Sequence, residues 1–134
     1  MHNQNSRGKD ENRKMEFKKE KEVGKKTVFL IQENPYINVL SAQEYGDIVL
    51  LFESGQQIMF SPQPAIKKLR RKLKDFDDND YLLMMGDPAA MGIACCIASD
   101  INRGRFKILK WDKIQKRYYS VSVNIYEKGE IDDS

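Results

Sequence analysis

Hydrophobic and polar positions divide the chain into two unequal parts. Residues 1–26 carry almost no apolar side chain beyond Met15, Phe17 and Val23. Such a stretch lacks the burial needed to offset its own ordering entropy, so it is expected to be a flexible arm. From residue 27 the pattern changes to short apolar, β-branched runs. Residues 27–32 and 36–40 read as strands broken by the turn residues Glu33, Asn34 and Pro35, and residues 47–52 and 56–60 read as a hairpin around Glu53, Ser54 and Gly55. Between them, Ser41 and Glu44 have capping-box spacing and Gly46 is placed to end a single helical turn.

Two helices follow. The first opens at Ser61-Pro62-Gln63-Pro64 and repeats Ile66, Leu69, Leu73 and Phe76 at helical spacing. A short apolar strand, residues 81–85, leads to Gly86-Asp87-Pro88, where aspartate is the N-cap and proline takes the first helical position. The second helix runs to about Arg103 and is apolar on most faces, which predicts burial, with Gly104 as its stop. A last hairpin pairs residues 105–111 with 117–125. On its second strand Tyr119, Val121, Val123 and Ile125 alternate with Tyr118, Ser120, Ser122 and Asn124, predicting a buried and a wet face. The order β-β-β-β-α-β-α-β-β defines an α+β domain with two helices and a mixed or mainly antiparallel sheet. It occupies residues 27–126, between the arm and a short acidic tail at 127–134.

Length agrees with one domain, since 134 residues suffice for a single core. No apolar run is long enough to span a bilayer, and residues 1–26 contain no signal-peptide core, so no membrane role is expected. Cys95 and Cys96 are adjacent on a helix and point apart, which argues against a disulfide framework. A single histidine, His2, leaves a Cys/His zinc site without ligands. The net charge of +3 is uneven: the arm holds nine basic and five acidic residues, and the remainder is close to balanced.

The strongest candidate surface is the first helix, where Lys67, Lys68, Arg70, Arg71, Lys72 and Lys74 lie opposite the apolar stripe. Such cations neutralise phosphates and would make nucleic-acid affinity fall with salt, and a basic arm beside them would assist. The plain alternative is a solvated face offset by the acidic run Asp75, Asp77, Asp78 and Asp80. In the last hairpin Trp111, Tyr118 and Tyr119 sit among basic residues and offer a platform on which bases stack, or else cross-strand pairs that hold the hairpin together. Gly86-Asp87-Pro88 is a poor phosphate site, because proline removes one donor and the carboxylate repels an anion. The acidic run departs from a calcium loop at its sixth and twelfth positions. Asp47, Asp87 and Asp112, near strand ends, are the carboxylates that a metal-dependent phosphodiesterase would gather, although their spacing does not require it.

The blocks Ser61-Pro62-Gln63-Pro64, Gly86-Asp87-Pro88 and Lys110-Trp111-Asp112 belong to stretches, from about Leu40 onward, that cover roughly two thirds of the chain. Over them the sequence resembles small uncharacterised proteins of tailed bacteriophages, particularly marine ones. The resemblance implies a phage origin and a host-cytoplasm setting, and it assigns neither catalytic residue nor metal nor cofactor. The expectation is a non-enzymatic binding protein that contacts nucleic acid, or a host nucleic-acid machine, through the basic helix and arm. A protein-interaction or structural phage module, meeting a host or phage protein, is the alternative, with a phosphodiesterase third.

Overall fold

A computed structural model describes residues 17–56 and 62–128. Among the described residues five strands form one sheet: β1 (Thr27–Gln32), β2 (Asp47–Phe52), β3 (Tyr81–Leu83), β4 (Arg105–Asp112) and β5 (Arg117–Asn124). Their spatial order is β2-β1-β3-β4-β5. The pairings β1·β2, β1·β3 and β3·β4 are parallel, and β4·β5 is antiparallel. Helix α1 (Gln63–Lys72) joins β2 to β3, and α2 (Pro88–Ile101) joins β3 to β4. A 3-10 turn, Leu40–Tyr45, lies between β1 and β2.

The α+β class and the two helices are as the hydrophobic pattern implies, and of the two sheet types it allowed, mixed or mainly antiparallel, the mixed one forms, with three parallel pairings and one antiparallel. The sequence sign of parallel strands is a continuous apolar run buried on both faces, and β1 is buried at every position. The direction of the connections explains why both faces are covered. Stepping from β1 to β2 goes one way along the sheet and stepping on to β3 and β4 goes the other, so right-handed crossovers put the 3-10 turn and the helices on opposite faces. Phe29, Ile31, Val49, Leu51 and Leu82 accordingly meet Leu69, Leu73, Ala90, Ala94 and Ala98 on the helix face. Val28, Leu30, Ile48, Leu83 and Leu109 meet Val39 and Ala42 on the turn face.

Residues 36–40 do not form the expected strand. Asn34 Oδ1 accepts from Tyr36 N at 3.0 Å and Asn38 Oδ1 from Leu40 N at 2.8 Å, so asparagine side chains take up the N–H groups a ladder would use. Of the expected strand 56–60, residues 57–60 lie outside the described residues. The strand expected at 81–85 ends at Leu83.

The stretch expected to be a free arm is also divided. Residues 1–16 lie outside the described residues, whereas residues 17–26, although largely exposed, are tied to the domain at Phe17, Lys18 and Lys21. Phe17 packs on the turn-face core, and Lys18 N donates to Ile48 O at 2.8 Å. Lys21 is the anchor: its ammonium reaches Asp80 Oδ2 at 2.6 Å, Asp77 Oδ2 at 3.1 Å and Asp75 O at 2.8 Å. Lys21 retains 3% of its side-chain exposure and Asp80 none. Asp80 also accepts from Thr27 N and Asp77 N, which fixes the entry to β1 against the loop after α1.

Candidate interaction edge and cationic stripe

The last strand reverses its sequence reading. By alternation with Tyr118, which belongs to the turn-face core, Tyr119, Val121 and Val123 point to the helix face. That face of β5 was expected to be buried; instead Tyr119 keeps 39%, Val121 41% and Ile125, just beyond the strand, 57% of their exposure. The helices pack against β1, β2, β4 and each other, whereas β5 packs against β4 and the 3-10 turn. Amphipathic alternation identifies which residues share a face, and only the helix placement decides whether that face is covered.

β5 is also the outer strand of the sheet. Ile125 N donates to Gly104 O at 2.9 Å, so the backbone groups of Ile125, and with period two those of Val123, Val121 and Tyr119, turn toward β4. The amides and carbonyls of Ser120 and Ser122 therefore face outward from the sheet. An edge of eight residues with one charge, Arg117, and no proline is a template for a further strand. An open cleft of about 260 Å³ at the β5 end is lined by Asp78, Arg105, Phe106, Ser122, Val123 and Glu127, among others. Asp78 and Arg105 pair across it at 3.1 Å, and this contact, with that from Asn102, holds the Asp78 carboxyl below the ordinary aspartate value.

The six cations on α1 and just beyond it separate into two sets. Arg70 pairs with Asp100 on α2 at 2.6 Å, Lys68 lies over the Phe52 ring, and Lys72 donates to Leu50 O at 2.7 Å. Burial, with Lys68 and Arg71 nearby, pushes the Lys72 pKa down. Lys67, Arg71 and Lys74 are exposed and have no ion partner among the described residues. Spaced at i, i+4 and i+7, the first two on α1 and Lys74 just beyond it, they form one stripe.

The three aromatics do not share a face. Trp111 meets the buried Tyr118 edge-on at a ring distance of 4.9 Å on the turn face, while Tyr119 points to the helix face. Nor are the three candidate carboxylates brought together. Asp47 starts β2, while Asp87 follows β3 and Asp112 ends β4, at the opposite end of the parallel strands. Asp87 caps α2 by accepting from Ala89 N at 2.9 Å, and Asp112 accepts from Ile114 N and Gln115 N.

Sheets of this kind bind ligands beside the strand where the order reverses, here the C-terminal end of β1. Gln32, which sequence reasoning did not single out, fills that position. Its amide nitrogen donates to Glu53 O and Gln56 O, and its oxygen accepts from Asp87 N at 2.7 Å. Gly86, with φ of +104°, presses so closely that a Cβ there would collide with the Gln32 side chain. Cys95 is half-buried, and burial pushes its thiol up to about 11, while Cys96 is exposed.

Fold and surface together define a small α+β domain with a closed crevice at the switch strand, an open apolar edge and a short cationic stripe. No described helix is long and apolar enough to cross a membrane. The chain belongs to the phage Pam3 gp32-like protein family, whose model matches residues 26–125. It is thus a phage-encoded protein, and the matched segment coincides closely with the five-stranded domain. No curated protein and no solved structure matches the chain.

Proposed function

We propose that this protein is a non-enzymatic protein-interaction module of a phage, docking another chain along the open edge of β5. The observation that carries this reading is the uncovered helix face of that strand, where Tyr119 and Val121 remain about two-fifths exposed. Apolar side chains beside unpaired backbone groups suit strand addition, in which main-chain hydrogen bonds give affinity and side-chain contacts give selectivity. A photo-reactive residue at Tyr119, with the protein made in the host during infection, tests it. Cross-linking to a second polypeptide is expected; a Tyr119 site that cross-links to nothing overturns the reading.

A second reading rests on the stripe Lys67, Arg71 and Lys74, whose charges have no intramolecular ion partner among the described residues. Three cations support weak, salt-dependent contact with nucleic acid in the host cytoplasm. Fluorescence anisotropy over a salt series tests it. Changing the three to Ala should abolish the salt slope, whereas changing Lys68 and Arg70 should leave most of it.

A further inference from the structure

We infer that the polypeptide docking on β5 presents an acidic segment beside apolar residues, held by the open helix face of β4 and β5 and by a cationic cluster at one end of it. The inference rests on the docking role of β5 proposed above and adds the chemistry of the partner.

The strand edge by itself offers little. Tyr118 O already accepts from the Tyr45 hydroxyl at 3.1 Å and Asn124 O from Glu127 N at 3.1 Å, so among the described residues Ser120 and Ser122 are the outward pair with both backbone groups open. Two residues of ladder are too few to hold a chain, since even a complete two-stranded hairpin is marginal in water. Side chains on the face must select the partner.

On that face alternation places Phe106, Ile108 and Lys110 of β4 beside their register partners Val123, Val121 and Tyr119 of β5. Phe106 and Ile108 are half-buried, while Val121 and Tyr119 remain about two-fifths exposed. The result is an apolar strip about 13 Å long from Tyr119 to Val123. One end of it changes character. Lys110 stands level with Tyr119, Arg117 lies two residues before Tyr119 on the same face, and Lys113 and Lys116 occupy the turn between the strands. All four are exposed, and none has an ion partner among the described residues. Asp112, the one acid within residues 110–117, stands opposite Arg117, but its Oδ1 accepts from Ile114 N and Gln115 N. The cluster therefore keeps an excess of positive charge.

An apolar strip running into unpaired cations is complementary to a segment that carries carboxylates next to apolar side chains, and such charge matching sets specificity and encounter rate. Nucleic acid fits the same surface less well. Bases stack on aromatic faces, whereas Ile108, Val121 and Val123 are aliphatic, and Trp111 lies on the opposite face, edge-on to Tyr118.

Selection of random displayed peptides on the full chain tests this, with peptides of about a dozen residues, long enough to cover β5 and its turn. The expected result is an enriched set with a run of acidic residues beside apolar ones. Binding of one enriched, labelled peptide should weaken about tenfold when Lys110→Glu and Arg117→Glu are combined, and selection repeated on that variant should enrich basic residues instead. Val121→Lys should abolish binding, because it puts an ammonium group in the apolar strip. Thermal melts check that both variants keep the fold. An enriched set without acidic excess overturns the inference, as does a peptide indifferent to the charge reversal. So does a single-stranded oligonucleotide that displaces the peptide and itself depends on Lys110 and Arg117, since the cluster then serves nucleic acid. If the enriched peptides lack acidic excess but are lost with Val121→Lys, the acidic partner fails and the docking role stands. If nothing enriches, the inference fails; if Tyr119 in addition cross-links to nothing, the docking role fails with it.

Discussion

Replacing Lys21 by Met should cost the domain more than any change on its surface. Lys21 and Asp80 are almost wholly buried, and no residue other than Lys21 forms an ion pair with Asp80 among the described residues. Burial opposes the Lys21 charge, but its hydrogen bonds to Asp80 and Asp77 outweigh it and raise the lysine pKa. Burial is likewise the main influence on Asp80 and holds its pKa above the ordinary aspartate value. Removing the cation leaves a carboxylate supported by Thr27 N and Asp77 N alone. Breaking one side of such a pair costs about 3–5 kcal/mol. In a domain of this size that lowers the melting midpoint by about 15–30 °C. Urea unfolding followed by circular dichroism measures the difference, and adding Asp80→Asn to Lys21→Met should recover part of it, because no charge is then stranded. The raised lysine pKa sets the pH window: the stabilisation is complete below 10.5 and is lost as pH rises through the higher folded-state value. A loss under about 1 kcal/mol for Lys21→Met would refute the anchor, since a solvated pair contributes no more than that.

Deleting residues 1–26 should cost at least as much as Lys21→Met in urea unfolding, because it also removes Phe17 from the turn-face core. Gly86→Ala forces a side chain into a left-handed backbone and against Gln32, and urea unfolding should show about 1–3 kcal/mol lost. Thiol labelling at pH 8 should be fast at Cys96, which is exposed, and slow at Cys95, whose pKa near 11 keeps it protonated; equal rates would refute that burial.

Several features were legible in the residues because they are local. The Asp87 cap, the helix starts at Gln63 and Pro88 and the apolar stripe through Leu69 and Leu73 depend on neighbours within a few positions. So does the pairing of β4 with β5 across a four-residue turn. The candidate carboxylates were legible only as residue types, since their separation follows from strand direction.

By itself, then, the sequence determined the α+β class, the order of the two helices and the residues that share each face of β5, because periodicity and capping act over short distances. Tertiary structure alone decided which faces are covered. It buried Lys21 through a contact 59 residues away, spent Arg70, Lys68 and Lys72 on internal partners and filled the switch position with Gln32. It left Tyr119 and Val121 open because the helices that cross to β3 and β4 lie over the preceding strands and β5 comes after the last crossover. A hydrophobic pattern records which side chains share a face, but burial needs an opposing surface, and its position is set by chain connections longer than any local pattern reaches.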